Sequence, residues 1–343
     1  MTGRRGAARR AALALLGLAL VASGWSCAKP ATDAQPVRIA VSRYFANSPL
    51  FIARDEGFFA DEGLTVEFVE APGSASQLVP ALVQGRIDVI SSAVSVGILN
   101  AIGLGAEVRL VADRGIYDPG ACSATALVAR RVPEGRALSA EDVRGRRFAV
   151  SGPTSGTVYF LDVLLDSLGL RPDEVSSTQV PAIATLDALE NGGIDFVSAI
   201  EPQLTVLLAA GNHIAIPYER VLPGFQSGAL VFGPRLLSRD RDAGRRFIRA
   251  YLRAVRQYNQ GKTEHNLDVL SRATGLDRPT LERMCWPPLR EDGRLSLEGL
   301  KAYEEWAHRK GYMEHVIPVE RLWDAELVQS AAAELASSPA PQP

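Results

Sequence analysis

Five short segments carry the side chains with chemical potential. Ser42-Arg43-Tyr44-Phe45-Ala46-Asn47-Ser48 brings two aromatics, hydroxyls and an amide. Gly73-Ser74-Ala75-Ser76 and Gly152-Pro153-Thr154-Ser155-Gly156-Thr157 are small, hydroxyl-rich runs at the start of apolar-periodic stretches, and Ser91-Ser92-Ala93 closes a β-branched run. Glu201 stands before Pro202. Free N–H groups at helix starts, helped by hydroxyls, hold sulfonate, carboxylate or phosphate groups. Glu201 would instead accept from an amine or amidine. The candidate ligand contacts are therefore Ser42, Tyr44, Asn47, Ser74, Ser76, Ser91, Ser92, Thr154, Ser155, Gly156, Thr157 and Glu201. Each has a plainer role too. Serine and glycine ahead of a helix are ordinary N-caps, and Glu201-Pro202 fits a capped helix start. Tyr44 is preferred to Phe45 as the contact; either ring would otherwise serve the core. Arg43 and Arg114 are placed to help an anion, although exposed arginines at such edges are commonly just solvated.

Catalytic patterns are missing. The four histidines form no metal motif, and neither HExxH nor a CxxC pair occurs. Gly152-Pro153-Thr154-Ser155-Gly156 puts serine fourth, unlike the GxSxG elbow of a hydrolase, and it lacks the GK[ST] ending of a phosphate loop. No catalytic residue, metal site or cofactor is expected.

The elements that must position these residues come in two copies. Arg38-Ile39-Ala40-Val41-Ser42 is echoed by Arg147-Phe148-Ala149-Val150-Ser151. Ala81-Leu82-Val83-Gln84-Gly85-Arg86-Ile87-Asp88 is echoed by Ala188-Leu189-Glu190-Asn191-Gly192-Gly193-Ile194-Asp195, at nearly the same separation. Two long copies point to paired lobes, since a solenoid needs three or more shorter units. In the first copy the patterns predict strands over 37–42, 65–70, 87–91 and 108–113 and helices over 49–56 and 74–84. In the second they predict strands over 147–151, 176–180 and 194–199 and helices over 155–168 and 184–190. Such alternation gives parallel or mixed sheets covered by helices. From about Asp242 only helices follow, over 242–261, 264–274, 278–285, 296–310 and 324–336. The first of these carries Arg245, Arg249, Arg253 and Arg256 opposite an apolar stripe, which reads as a solvated basic face.

Arg4, Arg5, Arg9 and Arg10 precede an apolar run from Ala11 to Ala22. That run is too short to span a bilayer, which takes roughly 20 apolar residues, and fits a signal peptide over 1–26. Gly24-Trp25-Ser26-Cys27 is similar to a lipobox, with Cys27 as the lipidated first residue; cleavage without lipidation is the alternative. Residues 27–36 read as a flexible tether and 337–343 as a disordered tail. Loss of the four arginines takes the net charge from −2 to about −6, which argues against a nucleic-acid binder. A hydrophobic content of 47% suits a large globular core, and no second stretch is long enough to cross a membrane. Cys122 and Cys285 remain. An oxidising compartment would permit a disulfide, but two isolated buried thiols is the preferred reading.

Arg38-Ile39-Ala40-Val41, Gly57-Phe58-Phe59-Ala60-Asp61-Glu62-Gly63-Leu64, Ala81-Leu82 with Gly85-Arg86-Ile87-Asp88, and Ile200-Glu201-Pro202 occur in an order that resembles the sulfonate, nitrate and thiamine-pyrimidine group of periplasmic solute-binding proteins, the SsuA/THI5-like (NMT1) family. The resemblance runs from about Val37 to about Ala250. It implies an α/β two-lobe periplasmic-binding-protein type II fold with lobe one discontinuous and extra C-terminal helices. Lobe one would cover 37–123 and 233–336, and lobe two 124–232. The implied function is capture of a small polar ligand (sulfonate, nitrate or pyrimidine-like) by hinge closure, as a monomeric, exported lipoprotein serving ABC permease and ATPase subunits. In this family the acid before proline often faces the cleft, which favours Glu201; Ile200 stands where a tryptophan is more usual. Two other functions fit the same fold: a cytoplasmic enzyme of thiamine-pyrimidine or menaquinone synthesis, and a ligand sensor without a transporter. The export signal argues against the enzyme.

Overall fold

The two repeated Ile-Asp steps do the same work in each half of the molecule. Asp88 and Asp195 each accept the N–H of an arginine among the first two residues of a neighbouring strand, Arg38 and Arg147, both at 2.9 Å. This geometry comes from a computed structural model that describes residues 35–42, 44–70, 75–132, 137–152 and 154–337. The signal segment, Cys27, most of the tether, Arg43, Ser74 and the tail after Ser337 lie outside the described residues.

The strands among the described residues are β1 (Val37–Val41), β2 (Val66–Glu70), β3 (Val89–Ala93), β4 (Arg109–Ile116), β5 (Thr125–Ala129), β6 (Arg147–Val150), β7 (Ser176–Gln179), β8 (Phe196–Ile200), β9 (His213–Pro217) and β10 (Gln226–Phe232). They form two five-stranded sheets, ordered β2-β1-β3-β10-β4 and β7-β6-β8-β5-β9. The repeat supplies the three parallel strands of each sheet. The fourth strand is antiparallel in both and comes from outside the repeat: β10 joins the first sheet and β5 the second. The chain crosses between sheets through 117–124 and returns through 218–225. The return thus lies ahead of β10, whereas the sequence had placed it near Phe232. β10 is buried along nearly its whole length, and such a run needs a partner on each side.

The long helix Arg241–Tyr258 buries Phe247, Ile248, Tyr251, Leu252 and Val255 against the first sheet. Each such side chain contributes roughly 1.5–3 kcal/mol. Its arginines are not a free basic face. Arg241 pairs with Asp324, Arg249 with Glu62 and Glu334, and Arg253 with Asp61. These acids lie on or beside the helices Phe58–Asp61 and Ala325–Ser337, which flank the long helix.

The late helices do not all rest on the first lobe. Leu297–Arg309 reaches into the second, where Tyr303 donates its hydroxyl to the Thr154 carbonyl at 3.0 Å and Trp306 Nε1 donates to Asp162 at 2.8 Å. The Tyr303 and Trp306 rings each lie 5.1 Å from Tyr159. This places one continuous apolar cluster across both sheets, from Ile90 and Val231 to Leu127 and Phe148. The helix approaches closely because position 299 is glycine: a Cβ there would sit 2.5 Å from the Gly224 carbonyl and 2.8 Å from Phe225 Cα. Gly299→Ala is therefore expected to cost about 2 kcal/mol, read by denaturant unfolding, since backbone rather than a flexible side chain must yield.

Candidate functional site

Between the two sheets, at the crossing segments, lies a cavity of about 70 Å³. Phe45 enters it from the turn after β1, Arg114 and Ile116 from the end of β4, and Tyr117 from the first crossing. Glu201, just after β8, and Glu219, on the returning crossing, approach from the other side. Tyr258, at the end of the helix Arg241–Tyr258, and Leu289, in the loop after the helix Arg278–Arg283, close it. Ligands of open α/β sheets bind beyond the strand ends in this way.

Alternation along β4 sets the electrostatics. Asp113 turns into the protein, where it accepts from Gly115 N at 2.8 Å, Gln226 Nε2 at 2.7 Å and Arg290 N at 3.1 Å. Burial pushes its carboxyl above the usual range despite those donors. Arg114, the next residue, lines the cavity. Its guanidinium lies across the backbone of β10, where Gly228 makes room: a Cβ there would be 3.1 Å from Cζ and from Nε. Arg114 Nε is buried and donates to nothing among the described residues. Burial lowers the Arg114 pKa to about 10, with Tyr251, Asp113 and Tyr117 opposing the fall. It is still charged at pH 7. An anion entering the cavity would supply the acceptor that the buried Nε lacks.

The residues anticipated from sequence are placed differently. Of those among the described residues, only Glu201 lines the cavity. Its Oε2 accepts from Thr205 N at 3.0 Å, and its Oε1 from Thr205 Oγ1 and Cys285 N, both at 3.0 Å. Ser42, Asn47 and Ser91 bond one another: Asn47 Nδ2 donates to the Ser42 carbonyl at 2.7 Å, and Ser91 donates to Asn47 Oδ1 at 2.6 Å. Ser92 donates to the Ala93 carbonyl. Ser155 donates to the Gly152 carbonyl at 2.6 Å, Thr157 accepts from Ser151 N at 3.0 Å, and Thr154 offers its carbonyl to Tyr303. Gly156 opens the helix Gly156–Ser167, near Phe225. These hydroxyls bond nearby backbone and side chains in turns, and neither Ser155 nor Asn47 caps its helix through its side chain. Tyr44 is exposed, and buried Phe45 reaches the cavity instead, its ring tilted against Tyr258 and Trp286. Ser74 and the Ser76 side chain lie outside the described residues. Tyr117, Glu219 and Tyr258 were missed. Their nearest signal is the charged Asp113-Arg114 pair inside an apolar strand, a pattern that invites a functional explanation.

Cys122 and Cys285 form a disulfide, with Cα atoms 5.7 Å apart. They are neither isolated nor deeply buried: Cys122 is exposed on the cavity wall. The crossing 117–124 runs beside the end of the helix Arg278–Arg283, an encounter that local sequence does not reveal.

The signature of the NMT1-like family matches residues 30–272. The chain belongs to that family. Among curated proteins none matches. Solved structures with the same fold include the ligand-binding component of an ABC-type import system from Staphylococcus aureus, with zinc bound. It has 17% identity, covers 87% of this chain and 99% of that one, and gives a TM-score of 0.71. The periplasmic aliphatic sulphonate binding protein SsuA from Escherichia coli has 16% identity, covers 84% and 92%, and scores 0.67. The periplasmic nitrate-binding protein NrtA from Synechocystis PCC 6803 has 15% identity, covers 88% and 89%, and scores 0.66. The NMT1-like chain has the α/β two-lobe periplasmic-binding-protein type II fold, its first sheet assembled from both sides of the second. Among the described residues no group of three or more His, Cys, Asp or Glu side chains could hold a metal ion. No helix there is long and apolar enough to cross a membrane.

Proposed function

We propose that this chain is the extracytoplasmic solute-binding component of an ABC importer, capturing a small anion between its lobes and presenting it to a permease without chemical change. The observation that carries this reading is Arg114, a half-buried cation set in the interlobe cavity, whose buried Nε has no hydrogen-bond acceptor among the described residues. Family membership supports it, as do solved relatives described as sulphonate- and nitrate-binding proteins. The disulfide agrees with an oxidising compartment. Anchoring through a lipidated Cys27 completes the proposal. Closure would turn on the crossings 117–124 and 218–225, and the helix Leu297–Arg309, bonded to both lobes, would keep its amplitude small.

Thermal unfolding against nitrate, taurine, alkanesulfonates, aromatic carboxylates, aminopyrimidines and riboflavin tests it. A ligand at 100 times its dissociation constant should add about 2.7 kcal/mol of stability. An anion is expected to give that gain, and Arg114→Met to erase it. A gain that survives Arg114→Met, or one given only by neutral compounds, would contradict the reading.

A further inference from the structure

The cavity has a second pole. Glu219 is buried on the returning crossing, and its only described hydrogen-bond partner is the Ser123 hydroxyl, which bonds Oε1. Its Oε2 accepts from no described residue, and no lysine, arginine or histidine pairs with it. Glu201 differs, because three protein donors already occupy its carboxylate. Glu219 and Arg114 do not pair with each other, yet both charges act on Tyr117. Burial raises that phenol far above its ordinary range; the Glu219 carboxylate adds to the rise and Arg114 opposes it. Arg114, Tyr117 and Glu219 all line the one cavity, so a cation and a carboxylate that do not pair with each other share its wall. A plain anion would satisfy Arg114 and leave Glu219 facing like charge. A ligand with a cationic group beyond its anionic head would satisfy both.

We infer that the cleft takes a small zwitterion, with its anionic head on Arg114, its ammonium on Glu219 and its short apolar body against Phe45, Tyr258 and Leu289. This rests on the solute-binding reading above and narrows it to a ligand class. Two opposed charges at fixed separation also select ligand length, because a chain that is too short or too long reaches only one of them. Ser123, which tethers the Glu219 carboxylate from the opposite crossing, is then a positioning residue.

Calorimetric titration of the wild-type protein tests this with homologous probes: β-alanine through 6-aminohexanoate and the corresponding ω-aminoalkanesulfonates, each beside the acid lacking the amine. At one chain length the zwitterion is expected to bind at least about ten-fold more tightly than its acid. Glu219→Gln keeps an acceptor for Ser123 and removes the charge, so it should erase that preference and raise affinity for the acid, which no longer faces a like charge. Arg114→Met should abolish binding of both. Acids that bind as tightly as zwitterions at every length, or a preference that survives Glu219→Gln, would overturn the inference while leaving the anion-binding reading in place. Binding of neither series would overturn both.

Discussion

Removal of the Cys122–Cys285 disulfide, by reductant or as a Cys122→Ser, Cys285→Ser double variant, is expected to lower the unfolding free energy by about 5 kcal/mol. The bond joins residues 163 positions apart, so it constrains nearly half the chain in the unfolded state. A loop of that size places the chain-entropy effect at the upper end of what native disulfides contribute. A local effect adds to it. Cys285 N donates to Glu201, and that carboxylate also holds Thr205 at the start of the helix Gln203–Ala209. Freeing Cys285 loosens a contact between lobes beside the cavity. Denaturant unfolding with and without reductant measures the loss directly, and exposed Cys122 gives the reductant access. A difference below about 1 kcal/mol would mean that the reduced chain stays constrained when unfolded.

The second large effect concerns pH. Glu304 is buried on the helix Leu297–Arg309, and burial raises its pKa from 4.5 to about 7. Neighbouring Glu305 pushes the same way, and the Ile317 N–H, which donates to it at 3.2 Å, pulls back. The folded state therefore favours the protonated acid, while the unfolded chain titrates near the ordinary value. The resulting stabilisation is complete below about pH 4.5 and is lost as pH rises through 7, a change of up to about 3 kcal/mol. Glu304→Gln keeps the acceptor for Ile317 and cannot ionise. It is expected to match the wild type near pH 4.5 and to exceed it by up to about 3 kcal/mol at pH 8. Parallel stability profiles for the two proteins would show that Glu304 does not titrate in this window.

Both effects sit where local sequence is least informative. The parallel strands were legible because the repeat writes them twice, with Gly85 or Gly192 after a helix and an apolar run after Ile-Asp. The strands β5, β9 and β10 were not, since a short apolar run does not say which sheet it will join. β10 looked like the end of lobe two and proved to be an inner strand of the first sheet. The hydroxyl clusters read ambiguously for a physical reason: serine and threonine satisfy nearby backbone as readily as a ligand, and Ser155 and Thr157 bond backbone here. Glu201 lies on the cavity wall as expected of the Ile200-Glu201-Pro202 motif, which stands at the end of β8. Arg114 was only half found, because its significance depends on Gly228, 114 residues further on, and on the absence of a nearby described carboxylate partner. The basic face of Arg241–Tyr258 was misjudged in the same way, its acids arriving from Glu62 and from the last helix.

The central claim is that the unmatched charge of Arg114 is the seat of an anion held between the lobes. A crystal structure with the anion that gives the largest thermal gain tests it most directly. The account predicts that anion within hydrogen-bond distance of the Arg114 guanidinium, enclosed by Phe45 and Tyr258 on one side and by second-lobe residues on the other. An anion bound instead at the start of Gly156–Ser167 or on one lobe alone, with Arg114 untouched, would contradict it.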